Sequence, residues 1–161
     1  MNWVQFSLGP KIYKSHYIQY ERADFELINE RKQRLKCSHF EPLKSNRICR
    51  ELPCVVYLHG NSSSRLEAFP YAAMLIPDNI TLFAFDMAGS GLSDGEYVSL
   101  GYYEKEDLKT VIEYLRKSGS VSTIGLWGRS MGAVTALLHV DRDPSIAGMV
   151  IDSESLLPYQ Q

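Results

Sequence analysis

Residues 123–133 read TIGLWGRSMGA, a short apolar run followed by Gly-x-Ser-x-Gly and then by a helical pattern. Alone, Gly-x-Ser-x-Gly is a weak signal, since a random chain of this length contains one in about one case in twenty. Its position between a buried strand and a helix is the one that a nucleophile elbow requires. There the turn lifts Ser130 above the carboxyl end of the sheet and leaves no room for side chains at Gly128 and Gly132. The alternative is a glycine-rich turn whose serine only caps the helix.

A second loop supports the same interpretation. Residues 59–63 read HGNSS and follow the first apolar run of the chain, so they belong at the same carboxyl edge. An acyl-transfer site needs two N–H donors for the developing oxyanion. We predict that Met131 supplies one and Asn61 the other, and that Gly60 allows a close backbone approach. His59 is predicted to brace this backbone, with a role as proton acceptor as the lesser alternative; by itself the segment would be an ordinary strand-to-helix loop.

A third glycine-rich segment, residues 85–95, reads FDMAGSGLSDG. Its Gly89-x-Gly91 after a strand raises the question of a dinucleotide site. The third glycine of that fingerprint is replaced by Asp94, and no helical pattern opens until about Tyr102. A dinucleotide site is therefore excluded, and we expect a tight turn in which Asp86 accepts hydrogen bonds from the loop backbone.

From residue 54 onward the pattern predicts a parallel sheet covered by helices. Strands that are apolar at nearly every position are buried on both faces, as parallel strands between helices must be. The clearest helical pattern begins near Glu104 with acids in its first turns and ends with two cations before Gly119. The predicted strands are 54–58, 80–85, 123–127 and 146–151, and the predicted helices are 65–75, with Pro70 in its first turn or at a kink, 104–117 and 133–140.

Residues 1–53 predict a different arrangement. Residues 25–30 and 35–42 look like two strands joined around Arg31–Arg34, an antiparallel hairpin at one edge of the sheet. Residues 1–20 are rich in aromatic side chains without a clean period, and a strand and an extended arm both fit. We therefore expect one partial domain over residues 1–161, made of an arm (1–20), an edge hairpin (24–42) and a parallel βα core (54–153).

In their order and spacing the three glycine-rich segments resemble those of the α/β-hydrolase superfamily. The resemblance covers residues 24–153 and is strongest to the serine-aminopeptidase-like branch, which includes acyl-protein depalmitoylases and related esterases. It implies an α/β fold, Ser130 as the nucleophile, Asn61 and Met131 as oxyanion donors, and no metal or cofactor. The depalmitoylases also share an N-terminal cysteine cluster for lipidation, whereas the first cysteine here is Cys37.

The chain departs from this family after the nucleophile. The family places an acid and then a histidine on loops after later strands. Counted in that order, residues 146–151 are the sixth of eight strands, so the last two strands, the acid and the histidine have no counterpart, and we expect a truncated chain. His139 lies about 13 Å along the helix from Ser130 and cannot reach it. Asp152 ends the sixth strand, but an acid without a histidine orients nothing.

The composition excludes other classes of protein. Hydrophobic residues make up 45% and charged residues 22% of the 161 residues, as in globular domains. A net charge of −2 gives no footprint for nucleic acid, and no apolar run approaches the ~20 residues of a membrane span. Three cysteines, an odd number without metal-ligand spacing, favour a reducing compartment, so we predict a cytoplasmic location. The expected partner is a small-molecule or acylated substrate, and the oligomeric state is not predicted.

The sequence leaves two alternative functions open for this chain. The first is a serine hydrolase that acts on an ester, thioester or amide through an acyl-Ser130 intermediate in the full-length protein. The second is a non-catalytic fragment or pseudoenzyme that keeps the fold for interaction. Because a serine hydroxyl is a poor nucleophile without a base, we expect the 161-residue chain by itself to be inactive.

Overall fold

The computed structural model describes residues 8–15 and 17–152. In this part of the chain seven strands form one mixed sheet, and three α-helices cover it. The strands are β1 (Ile12–Ser15), β2 (Ile18–Ile28), β3 (Arg34–Pro42), β4 (Leu52–Leu58), β5 (Thr81–Phe85), β6 (Val121–Arg129) and β7 (Gly148–Asp152). The α-helices are α1 (Phe69–Leu75), α2 (Glu104–Lys117) and α3 (Met131–Val140), and 3₁₀ turns span Lys44–Asn46, Arg65–Ala68 and Ile76–Asp78.

The strands lie in the order β1-β2-β3-β5-β4-β6-β7. From β5 to β7 all neighbours are parallel, so the carboxyl ends of β4, β5, β6 and β7 share one edge. In the register of these strands, Val56 lies between Phe83 and Leu126. All three side chains lie on one face and are at most 2% exposed, and their neighbours on the opposite face, Tyr57 and Ala84, are at most 1% exposed. The central strands β4 and β5 are therefore buried on both faces, as predicted, whereas the residues of β7 are only half-buried or exposed. The prediction of an α/β fold with a mostly parallel, helix-covered core is therefore confirmed.

Each face of the sheet carries its own apolar core. On one face α2 and α3 pack through residues such as Leu108, Val111 and Met131. On the other face α1 and the flanking 3₁₀ turns pack around Tyr57 and Ile76. Each of these side chains, when fully buried, contributes roughly 1.5–3 kcal/mol. None of the helices in the described residues is long and apolar enough to cross a membrane.

The helices follow the sequence signals closely. Glu104 is the first residue of α2, and Gly119, with a φ of +66°, follows Ser118, the residue that caps its C-terminal end. Pro70 lies in the first turn of α1, where its missing N–H leaves no helical hydrogen bond unmade. The first half of the predicted 65–75 helix is a 3₁₀ turn, so the α-helix itself begins only at Phe69.

The arrangement of β1, β2 and β3 differs from the prediction in one respect. β2 and β3 form the expected antiparallel hairpin, but it is not at the edge, because β1 pairs with the outer side of β2 and β3 pairs antiparallel with β5. Tyr13 and Tyr20 stack across β1 and β2 with ring centroids 5.1 Å apart, which explains the aromatic pattern. The strand alternative for residues 1–20 is thus confirmed from Ile12 onward, while residues 1–7 and 16 lie outside the described residues.

Candidate active site

Ser130 forms the junction between β6 and α3, at the carboxyl edge of the parallel strands. β6 ends at Arg129 and α3 begins at Met131, so a single residue makes the turn. Its φ of 50° and ψ of −113° lie where L-residues are rarely found and cost conformational energy. Its N–H donates to the carbonyl of Asp152 and its carbonyl accepts from the N–H of Ala133, both at 2.9 Å. The backbone is therefore held in a strained form while the serine itself is exposed.

The two flanking glycines are required by the packing. A Cβ at Gly128 would lie 2.3 Å from the carbonyl oxygen of Gly132. A Cβ at Gly132 would lie 2.0 Å from the carbonyl oxygen of Leu58. In both cases the neighbour is backbone, which cannot rotate away as a flexible side chain can. α3 therefore rests directly on the end of β4, from which the second loop emerges.

That second loop lies beside the serine. A Cβ at Gly60 would lie 3.8 Å from the Cβ of Ser130, so the residues predicted at one edge of the sheet are neighbours. This is an ordinary van der Waals distance, and Gly60 does not have a positive φ. The backbone near Gly60 therefore leaves room for a Cβ at this position. Asn61 is exposed, and its side-chain oxygen accepts a hydrogen bond from the N–H of Ser62 at 2.9 Å.

The N–H groups of Asn61 and Met131 are the two predicted oxyanion donors. Within residues 8–15 and 17–152 neither group has a hydrogen-bond partner. Met131 is the first residue of α3, where the helix leaves its N–H groups unsatisfied and its dipole favours negative charge. That these two N–H groups bind an oxyanion stays a prediction.

His59 is a brace between two loops. Its Nε2 accepts the backbone N–H of Met87 at 3.1 Å, so this nitrogen carries no proton. Its Nδ1 must then carry the proton, and it donates to the carbonyl of Gly60 at 2.8 Å. The ring is 0% exposed, and burial lowers its pKa. With both nitrogens engaged, His59 has no free site for the proton of Ser130.

Asp86, directly after β5, binds both the 3₁₀ turn that begins at Arg65 and its own loop. Its buried carboxylate accepts the backbone N–H groups of Arg65 at 2.7 Å and Leu92 at 2.9 Å, and it forms an ion pair with the guanidinium of Arg65. Gly91 has a φ of +54°, and a Cβ there would lie 2.4 Å from this carboxylate. The predicted role of Asp86 in binding loop backbone is confirmed. The next helix after Gly91 is α2, which begins only at Glu104.

The sequence analysis missed Glu67. Its carboxylate accepts a hydrogen bond from Tyr57 Oη at 2.7 Å and a longer one from the N–H of Gly60 at 3.4 Å. The guanidinium of Arg129, the residue before Ser130, lies 3.6 Å away. The one available signal was Ser64-x-x-Glu67, a capping-box pattern. Ser64 does cap the 3₁₀ turn, but Glu67 binds the upstream loop instead of the cap.

Among the histidines that the structure describes, none is placed to take the proton of Ser130. The Nε2 of His39 lies 3.2 Å from Thr81 Oγ1, at the opposite, amino end of the sheet. His139 lies near the far end of α3, with its Nε2 3.2 Å from Asp143. His16 lies outside the described residues. The described residues also contain no group of three or more His, Cys, Asp or Glu side chains that could hold a metal ion.

Comparison with known proteins identifies the family. The model of the family described as "Serine aminopeptidase, S33", a hydrolase family, matches residues 51–156. The matched range contains both loops described above and the turn at Ser130. This chain therefore belongs to the S33 serine aminopeptidase family, and its sheet has the α/β-hydrolase fold.

Two curated relatives each match part of this chain. The uncharacterized protein YqkD of Bacillus subtilis is 35% identical over 86 residues, which are 53% of this chain and 28% of that protein. The uncharacterized protein YfhR of Salmonella typhimurium is 30% identical over 112 residues, 68% of this chain and 38% of that protein. The chain thus spans well under half the length of these curated relatives.

Solved structures show the same fold. The esterase Pf2001 of Pyrococcus furiosus has a TM-score of 0.70 and 27% identity, over 80% of this chain and 50% of that protein. The hypothetical protein PA2218 of Pseudomonas aeruginosa has a TM-score of 0.73 and 21% identity, over 91% of this chain and 44% of that protein. The first is named an esterase; the second likeness concerns the fold alone.

Proposed function

We propose that Ser130 is the nucleophile of a serine hydrolase that cleaves an ester, thioester or amide. The observation that carries the proposal is the exposed serine with a φ of 50° between a buried strand and a helix, closed in by Gly128 and Gly132. A nucleophile elbow has this geometry. Membership of a hydrolase family and likeness to an esterase support the proposal.

The proposed reaction has two steps. Ser130 Oγ attacks the acyl carbon and gives its proton to a base, and the N–H groups of Asn61 and Met131 stabilise the oxyanion. The leaving group departs with a proton, and water then cleaves the acyl-Ser130 bond to release the acid. The base has to come from outside the described residues, because the histidines within them are otherwise engaged or distant. In the whole protein we propose that an acid and a histidine of the family's later loops supply it.

The lack of a suitably placed histidine within the described residues supports a second candidate function, a non-catalytic form. In a well-studied serine protease, loss of the histidine alone lowers kcat about 10⁶-fold. Residues 1–161 by themselves then keep the fold for interaction rather than turnover. The substrate in the catalytic case is a small-molecule or acylated compound. A cytoplasmic location and a single domain over residues 1–161 stay predictions from the sequence.

An external base separates the two candidates. Because Ser130 is exposed, excess imidazole in solution can take its proton. The 161-residue chain is treated with p-nitrophenyl acetate, with and without imidazole, and acetylation is followed by intact and peptide mass spectrometry. We expect acetylation of Ser130 only with imidazole, and none at this site in Ser130→Ala.

A matched control is Ser122→Ala, an exposed serine in the amino half of the same strand, which should react like the parent. If imidazole fails to accelerate acetylation of Ser130 above that of exposed serines, the nucleophile assignment is wrong and the non-catalytic form is favoured. Rapid acetylation of Ser130 without imidazole would instead show that the chain contains its own base.

A further inference from the structure

We propose that Glu67 is a positioning residue for this reaction: it holds the backbone of Gly60 and Asn61 against the turn that carries Ser130. The inference rests on the function proposed above and adds to it a residue outside the three sequence motifs. Glu67 lies in the 3₁₀ turn Arg65–Ala68 and contacts the loop that contains Gly60.

The contacts of Glu67 converge on the loop. Oε1 accepts from Tyr57 Oη at 2.7 Å, and Oε2 accepts from the N–H of Gly60 at 3.4 Å. Tyr57 is 1% exposed and lies in β4, so it anchors the carboxylate to the rigid sheet. Glu67 therefore connects the start of the loop turn, at residue 60, to the sheet.

The link to the oxyanion donor is the planarity of the peptide bond. The carbonyl of Gly60 accepts from His59 Nδ1 at 2.8 Å and from the N–H of Ser63 at 3.2 Å. Because the peptide is planar and trans, the direction of this carbonyl determines the direction of the Asn61 N–H. Glu67 binds the preceding N–H of Gly60. The peptide that presents the Asn61 N–H is thus held on both sides.

Glu67 also contacts the elbow. The guanidinium of Arg129 lies 3.6 Å from Oε1, and a Cβ at Gly60 would lie within 3.9 Å of both Oε2 and the Cβ of Ser130. Burial would raise the pKa of Glu67, but hydrogen bonds from Ser63, Tyr57 and Gly60 outweigh it and lower the pKa. The carboxylate is therefore ionised and its oxygens are occupied, so it positions the loop and does not act as the base. Arg129 offsets the charge that it places near the developing oxyanion.

The test uses the imidazole-assisted acetylation of the 161-residue chain described above. Glu67→Ala removes every contact. We expect the maximal rate of Ser130 acetylation to fall about 10²-fold, as for a small misplacement of a reacting group, with little change in the ester concentration at half-saturation. Glu67→Gln keeps the shape but replaces one accepting oxygen by NH₂, and we expect a partial loss of about 10-fold. Glu113→Ala, an exposed acid on α2 across the sheet, is the matched control and should not change the rate.

The outcomes separate this proposal from the proposed function. A folded Glu67→Ala chain that is acetylated as fast as the parent overturns the positioning role. If Glu67→Ala does not fold, the acetylation rate of Glu67→Gln is used instead, and a rate equal to that of the parent overturns the positioning role. If the parent itself shows no Ser130-dependent acetylation, the function fails, and amide hydrogen exchange of residues 60–63 decides the positioning role. Exchange in this segment should rise in the Glu67 variants relative to Glu113→Ala, and unchanged exchange refutes it.

Discussion

Replacing Gly132 by alanine tests the packing of the elbow directly. A Cβ at this position would lie 2.0 Å from the carbonyl oxygen and 2.8 Å from the Cβ of Leu58, so α3 has to move away from β4. In an ordinary helix the same change stabilises by about 1 kcal/mol. Here overpacking against backbone should reverse the sign and cost about 3 kcal/mol, the upper end for core overpacking. For a chain of this size that lowers Tm by about 6–12 °C.

The assay is urea unfolding followed by circular dichroism, together with calorimetry. The matched control is Gly148→Ala in β7, where a Cβ would meet nothing within 4 Å. We expect that control to leave the free energy of unfolding unchanged or to raise it by less than about 1 kcal/mol. A Gly132→Ala chain as stable as Gly148→Ala would show that α3 does not rest on β4 as described, and the geometry of the elbow would have to be abandoned.

Two further predictions concern pH and association. Because burial lowers the pKa of His39 to about 4, the folded state binds this proton less tightly than the unfolded state, where histidine titrates near ~6.5. The stability that neutral His39 contributes is complete above about pH 6.5 and is lost as the pH falls towards about 4. Urea unfolding across that pH range should show this loss, and His39→Gln should reduce the dependence of the unfolding free energy on pH. The same pH dependence in both chains would contradict the assignment. Val150 is 53% exposed on β7, whose outer edge has no partner strand within the described residues. Val150→Lys should reduce self-association in sedimentation velocity, whereas Ile48→Lys in an exposed loop should not. If the parent chain is monomeric at all concentrations, the outer edge of β7 does not mediate association.

The sequence alone was sufficient where local patterns have one solution. The four apolar runs form parallel strands, as expected for runs of only five or six residues that are apolar at nearly every position. α2 begins at Glu104 and stops before Gly119 because acids, cations and glycine mark helix ends by local electrostatics and backbone freedom. The turn at Ser130 followed from a strand and a helix meeting at Gly-x-Ser-x-Gly.

Other features could not be read from local patterns. β1 covers the hairpin because Tyr13 stacks on Tyr20, a cross-strand pairing whose partner no periodicity identifies. The motif predicted that Gly60 allows a close backbone approach, and the structure adds that a Cβ there would lie 3.8 Å from the Cβ of Ser130, an ordinary contact. Such distances depend on how strands far apart in the sequence come together, so a motif predicts the residue but not the reason for it.

The amino-acid order by itself determined the α/β architecture, the strand-to-helix turn at Ser130 and the placing of two loops at one edge of the sheet. Each follows from hydrophobic periodicity, from the glycine motif or from the rule that parallel strands end together. Only the tertiary structure decided the roles of individual polar groups. It engaged both nitrogens of His59 with backbone and placed Glu67 behind the loop. The physical reason is that a buried polar atom must find a partner, and which atom lies within reach depends on the packing of strands and turns that are distant along the chain.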